Sequence, residues 1–298
     1  MSESLVQIQN EKTRRDIFSL LSAVDAELAR PVIDAPDEAI KQLLLEPAFL
    51  GSGGSSELSA PLVSIVLPTR DRAGSIADAI LSVQAQSFSN WELIIVDDGS
   101  RDDTSNTVAT FLADERLRYV PQEPSGHAAA RNVALRMSRG ALTAYIDSDN
   151  IWYPHFLDAA VVAFAALPEV DCVYGALVTK AHPNSKGILF DDFDRVRLLL
   201  GNFIDLNTVV HRRSLTEIYG GFDEALDRLV DWDLLLRFTQ DKPAQRVPVL
   251  AAHYRVVDDR RVLVTRPFEP NHSAIRRKWM ASGPEEAQAV KAQLSRET

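Results

Sequence analysis

Cysteine is almost absent from this chain of 298 residues, which carries Cys172 alone. A single thiol excludes an intramolecular disulfide, and its place in the apolar run "DCVYGALV" reads as a buried strand residue, which suits a reducing compartment. Long apolar runs are missing too. The most apolar stretch, "AAVVAFAAL" from Ala159, falls far short of the roughly 18 residues that cross a bilayer. The start "MSESLVQIQNEKTRRD" lacks the apolar centre of a secretory signal. Positive charge is in deficit, 32 Lys and Arg against 42 Asp and Glu, and the resulting net charge of -10 repels polyphosphate backbones, which excludes nucleic acid as a partner. These absences predict a cytoplasmic protein without a transmembrane segment, any membrane contact being peripheral at the inner face.

With 46% hydrophobic residues, the chain has enough apolar material for one substantial core. The stretch "GSGGSSELSAP" from Gly51 to Pro61 cannot bury apolar area and reads as a linker. Ahead of it, Ile17, Leu20, Leu21 and Val24, then Ile40, Leu43, Leu44 and Leu45, recur at helical spacing, broken at Pro31 and Pro36. Residues 1–50 are therefore expected to be a helical extension that covers the main domain or pairs with a second copy as a homo-oligomer. Residues 51–60 are the linker, 61–265 the main domain, and 266–298 a polar, helical tail read as surface dressing.

Within the main domain, strand-like and helix-like segments alternate. "LVSIVLPT" is an apolar β-rich run, and "SIADAILSVQAQSF" has helical periodicity. "WELIIVDDGS" closes a strand on two aspartates, and a helix-like "DDTSNTVATFLA" follows. "RLRYVPQ", "HAAARNVALRMS" and "ALTAYID" continue the alternation. The pattern predicts an α/β fold with a mostly parallel sheet flanked by helices, and such sheets bind ligands at the carboxyl ends of their strands.

That rule gathers acids from separate segments. Asp71 follows the first strand, Asp97 and Asp98 close the second, and Asp147 and Asp149 close a later one in "LTAYIDSDNIW". Any one of them has a plain explanation in a turn, and Asp149 or Asn150 in the cap of a helix expected near Trp152. Together they would repel one another unless cations or hydrogen-bond donors offset them. A D-x-D turn offers oxygen ligands to Mg²⁺ or Mn²⁺, with water and phosphate oxygens completing the shell.

The blocks "VSIVLPTRDRAGSIADAILSVQAQSFSNWELIIVDDGSRDDT", "GHAAARNVAL", "GALTAYIDSDNIWYP", "GGFDEAL" and "VDWDLLLRF", in that order, resemble the family 2 glycosyltransferases of GT-A fold. The resemblance runs from about Pro61 to Tyr254. It implies a Rossmann-like nucleotide-binding half and inverting transfer of a sugar from a nucleotide diphosphate sugar, a UDP-sugar first, to a hydroxyl of a glycan, lipid-linked or protein acceptor. It implies that Asp98 binds the uracil, that Thr69 and Asp71 line the nucleoside pocket, and that Arg131 lies beside the base or diphosphate. Asp147 would face the ribose or donor sugar, Ser148 would belong to the same binding set, Asp149 with Asp147 would hold Mn²⁺ or Mg²⁺, and Asp231 would be the catalytic base.

The residues depart from the family's pattern in two places. Val230 stands where an acid often precedes the base, so Asp233 is a rival, and "HYRVVDDRR" has His253 ahead of the "YR" pair instead of a histidine after it. His253 is read as a packing or surface residue. His127 either contacts donor phosphate or is a plain loop histidine. Trp152 and Trp232 are candidates for stacking on sugar faces, Trp232 the better of the two. Arg212 and Arg213 read as a solvated basic turn, and Gly220 and Gly221 as a turn leading to the acceptor side. A catalytically silent nucleotide-sugar-binding module of a glycan assembly complex is the alternative function.

Overall fold

The computed structural model describes residues 62–182, 185–255 and 269–280. The expected helical extension, the linker and most of the tail lie outside the described residues.

The strands and helices of the first half are β1 (Val63–Thr69), α1 (Ile76–Gln84), β2 (Trp91–Asp97), α2 (Thr104–Ala109), β3 (Leu117–Pro121), α3 (His127–Met137) and β4 (Leu142–Tyr145). The second half adds β5 (Ile151–Trp152), α4 (Phe156–Ala166), β6 (Cys172–His182), β7 (Ser185–Leu189), α5 (Arg195–Leu200), β8 (Val209–Arg212), α6 (Arg213–Tyr219), α7 (Val230–Phe238), β9 (Gln245–His253) and α8 (Glu269–Met280).

The sheet runs β3-β2-β1-β4-β8-β6-β9-β5, with β7 paired to β6. β1, β2, β3 and β4 are parallel, as expected from the alternation. From β8 onward the sheet is mixed: β8 runs antiparallel to both β4 and β6, and β9 runs parallel to β6. The segment expected to open a helix near Trp152 is instead the strand β5, antiparallel to β9, and the helix starts four residues after Trp152, at Phe156.

Both central strands are buried along their whole length, which is why they read as continuous apolar runs. Alternation still sorts their faces. Val63, Ile65 and Leu67 pack with α1, α2 and α4, whereas Val66 packs with α3, α5, α6, α7 and α8. In α1 the residues Ile76, Ala79, Ile80 and Val83 form the buried stripe at i, i+3, i+4 and i+7. The part of the tail that is described is no dressing: Ile275 and Trp279 of α8 are buried in the second core.

A buried acid ties the amino ends of the parallel strands. Glu92 accepts from Ser64 Oγ at 2.6 Å and the Arg139 N–H at 2.8 Å, and from Arg118 Nη2 at 2.6 Å. Burial alone would raise its carboxyl, but these hydrogen bonds and the Arg118 charge outweigh it and hold the group below its ordinary value. A lowered value stabilises the fold above the unfolded carboxyl's 4.5 and loses that contribution as pH falls through the folded value. Glu92→Ala is expected to cost about 2–4 kcal/mol in urea unfolding at neutral pH, and the deficit is expected to shrink on acidification.

Candidate active site

The chain leaves β1 outward to β2 and β3, then returns to β4 on the other side of β1. Connections diverge at the carboxyl ends of β1 and β4, and this switch opens a crevice. A cavity of about 570 Å³ lies there, lined by Thr69, Asp71, Asp98, Arg131, Asp147, Ser148, Asp149 and Asp231. These eight residues expected from the sequence are therefore brought to one cavity.

Each acid is held by a different device. Asp98 Oδ1 accepts from the Ser125 N–H at 2.6 Å and Gln122 Nε2 at 2.8 Å, and Oδ2 accepts from the Gly126 N–H at 2.9 Å. Gly126 turns its N–H to the acid at φ 97°, a region open to glycine. Asp97, in contrast, is not part of the cavity lining. It takes the Ser100 N–H at 2.8 Å and Tyr119 Oη at 2.5 Å, so its role is the turn. Asp71 adopts φ 51° and accepts from the Arg101 N–H at 2.7 Å. Thr69 is 4% exposed, and its Oγ1 is buried without a hydrogen-bond partner among the described residues.

Arg131 projects from α3 to Asp147, Nη2 to Oδ1 at 2.6 Å. Asn207 closes on the same acid from the other side: its Oδ1 takes the Asp147 N–H at 2.7 Å, and its Nδ2 reaches Asp147 Oδ2 at 3.1 Å. Asp149 faces Arg72 Nε at 3.7 Å, and its carbonyl accepts from Arg255 Nε at 3.1 Å. Arg255 also donates its backbone N–H to Asn150 Oδ1 at 3.0 Å and Nη1 to Asp78 at 2.6 Å, so the end of β9 straps down the D-x-D turn.

Leu229, which also lines the cavity, takes φ 59° immediately before α7, a strained setting for a leucine. It launches the helix so that Asp231 sits in the first turn beside the cavity. Asn202 Nδ2 donates to Asp231 Oδ2 at 2.9 Å. Burial raises the Asp231 carboxyl above its ordinary 3.8, against the lowering effect of first-turn N–H groups. Asp233 is not its equal. It is fully buried and bound to Arg237 Nε at 2.9 Å and Lys278 Nζ at 2.8 Å, outside the cavity lining.

The two tryptophans are core residues, contrary to the expectation of sugar stacking. Trp232 is 1% exposed, donates Nε1 to the Leu198 carbonyl at 2.6 Å and stacks on His272. Trp152 donates Nε1 to the Asn207 carbonyl at 2.7 Å. Period 3.6 turns Trp232 away from the face that carries Asp231. His127 lines the cavity, whereas His253 lies opposite Ile151 in β9 and does not. Arg212 binds the carbonyls of Val170 and Pro168, and Arg213 binds Glu217, so both belong to the scaffold.

Three residues escaped the sequence reading. Asp205 and Asn207 lie in "NFIDLNTVV", where no motif marks them. Asn132 stands next to Arg131 and secures the Gly220–Gly221 turn: its Oδ1 takes the Phe222 N–H at 2.7 Å and its Nδ2 reaches the Phe222 carbonyl at 2.9 Å. A β-carbon on Gly221 would collide with the Asn132 amide.

Among the described residues, no group of three or more His, Cys, Asp or Glu gathers in a metal-binding arrangement. The donor chemistry nevertheless fits a hard divalent ion that takes one or two protein carboxylates and fills its remaining positions with phosphate oxygens and water.

Residues 64–211 match the model described as glycosyl transferase family 2. The chain is 39% identical over 101 residues to the UDP-Glc:alpha-D-GlcNAc-diphosphoundecaprenol beta-1,3-glucosyltransferase WfgD of Escherichia coli, covering 34% of this chain and 40% of that protein. It spans 59% or less of the length of such curated relatives. The fold resembles S. aureus TarS 1-349 in complex with UDP-GlcNAc, with TM-score 0.66, 16% identity, and coverage of 76% of this chain and 70% of that one. It also resembles the mannosyltransferase PcManGT from Pyrobaculum calidifontis in complex with GDP-Man and Mn²⁺, with TM-score 0.54, 21% identity, and coverage of 85% and 73%. Both structural likenesses concern the fold.

Asp205 gives the site a measurable signature. Burial raises its carboxyl from 3.8 to about 6, opposed by the Asn207 hydrogen bond and reinforced by Asp147 and Asp231. A raised value favours the folded state fully below 3.8 and loses that contribution as pH rises through about 6. Asp205→Asn is therefore expected to melt several degrees above the wild type at about pH 7.5, and the gap to close on lowering the pH toward 4, as followed by calorimetry.

Proposed function

We propose, on the premise that residues 64–211 make this chain a family 2 glycosyltransferase, that it transfers a sugar from a UDP-sugar to an acceptor hydroxyl with inversion, in the synthesis of a bacterial polysaccharide or related glycoconjugate. The observation that carries the reading is the convergence of these groups on one cavity. Asp98, Thr69 and the Arg131–Asp147 pair come to it from the ends of the parallel strands and α3, and Asp231 comes to it from the first turn of α7. Thr69, whose hydroxyl has no hydrogen-bond partner among the described residues, stands in the wall assigned to the nucleoside.

Inversion sets the roles. The acceptor oxygen attacks on one side of the anomeric carbon while the nucleotide diphosphate leaves on the other, so a base and an anion-binding wall must face each other. Asp231 takes the acceptor's proton. Burial lifts its affinity for that proton while Asn202 holds one oxygen in place. Arg72, Arg131 and Arg228 all line the cavity and bring positive charge to the diphosphate side and the walls around it. Asp149 would hold a divalent ion shared with the diphosphate, and Asp147, already bound to Arg131 and Asn207, would orient the ribose or donor sugar. Such an ion supplies Lewis-acid stabilisation of charge on the leaving group.

Two measurements test this. Asp231→Asn is expected to leave UDP affinity within about twofold and to lower turnover by about 10²–10⁴. Because burial raises the Asp231 carboxyl, wild-type turnover is expected to fall on the acid side at a pH above that of an ordinary aspartate. Retained transfer by Asp231→Asn would remove the base from this position. Asp149→Ala is expected to abolish the tightening of UDP binding by Mn²⁺ in calorimetry, and unchanged tightening would remove Asp149 from the ion.

A further inference from the structure

We propose that Asp205 reads the sugar being transferred, its second carboxylate oxygen accepting a hydroxyl of that sugar. The inference rests on the glycosyltransferase reading of the same cavity.

Asp205 is secured through one oxygen only. The Asn207 N–H at 2.9 Å and Asn207 Nδ2 at 2.7 Å both reach Oδ1. No hydrogen bond to Oδ2 is made by any described residue, and Asp205 belongs to the cavity lining. The mount is rigid. Asn207 is 2% exposed, its carbonyl takes Trp152 Nε1, and its amide spans Asp147 and Asp205 together. An acid fixed by Oδ1 and open at Oδ2 is a preorganised acceptor, since no side-chain freedom remains to be lost on binding.

Its position decides what it meets. In an inverting displacement the transferred ring lies between the leaving diphosphate and the attacking oxygen. Asn207 Nδ2 bridges Asp205 Oδ1 and Asp147 Oδ2, which sets Asp205 beside the acid assigned to the donor, and Asp231 lines the same cavity. The group in this cavity that Asp205 can meet is the ring, whose outward groups are hydroxyls. A neutral hydroxyl satisfies the open lone pairs without adding negative charge to a wall that already holds Asp147 and Asp231. The turn from Leu206 to Thr208 does not require an acid at position 205. Capping it uses Oδ1 alone, and asparagine or serine would cap it without a third carboxylate.

The test is calorimetry on the full chain with Mn²⁺, comparing UDP alone with UDP-glucose, UDP-N-acetylglucosamine and GDP-mannose. For the nucleotide sugar that the wild type binds, Asp205→Ala is expected to weaken affinity about 10- to 100-fold and to leave UDP affinity within about twofold. Asp205→Asn keeps the cap on its single oxygen but places an amide donor where Oδ2 accepted, so it is expected to weaken nucleotide-sugar affinity with the turn intact, and it carries the test should Asp205→Ala not fold. Equal weakening of UDP and nucleotide sugar would make Asp205 a structural support and overturn the proposal, as would unchanged nucleotide-sugar affinity in both variants. A wild type that binds no member of the panel overturns the underlying donor reading first, and is recognised without any variant.

Discussion

Repulsion among carboxylates is the constraint that shapes this molecule. Asp71, Asp98, Asp147, Asp149, Asp205 and Asp231 line one cavity, and like charges at such separations raise one another's proton affinity unless something answers them. Backbone N–H groups answer Asp71 and Asp98, guanidinium groups answer Asp147 and Asp149, and asparagine amides answer Asp147, Asp205 and Asp231. Local backbone features then follow as conditions. Gly126 must turn to present its N–H, Asp71 must sit at positive φ, and Leu229 must strain to aim α7.

The division of the sheet follows the division of labour. The parallel half ends in loops that gather the groups proposed to hold the donor, as strand ends do in doubly wound sheets. The mixed half closes the far wall, and α8 braces it: Lys278 and Trp279 hold Asp233, and His272 stacks on Trp232, directly behind the helix that carries Asp231. The matched family and the similar solved structures concern the shared scaffold, whereas chemistry at a given site belongs to the side chains placed on it.

The parallel half was legible from sequence because its signals are local. β1 and β2 are apolar runs with acids at or just past their ends, and α1 repeats its apolar stripe, so element type and strand-end chemistry could be read without knowledge of distant partners. The mixed half was not, because β6, β8 and β9 find their neighbours across long separations and nothing local encodes the direction of pairing. The same reason hid Asp205 and Asn207, whose meaning arises only when Asp147 arrives from 60 residues away in sequence. Trp232 was misread because an aromatic beside a catalytic candidate suggests sugar contact, yet neighbours in a helix face different ways. Asp233 shows the reverse: the acid two positions on looked like a rival until its buried cation partners were known.

Adjacent positions on α3 make two separate anchorages. Arg131 grips Asp147, and Asn132 grips the backbone at Phe222, in the turn that leads toward α7. The cavity acid Asp147 and the turn ahead of α7 are thus both referenced to one short helix. For protein engineering this defines a modular seam. Segments exchanged from another scaffold to retarget the acceptor must enter after the Asn132 anchorage, since a graft that includes Gly221 and Phe222 without a matching asparagine would lose the anchor that ties this turn to α3.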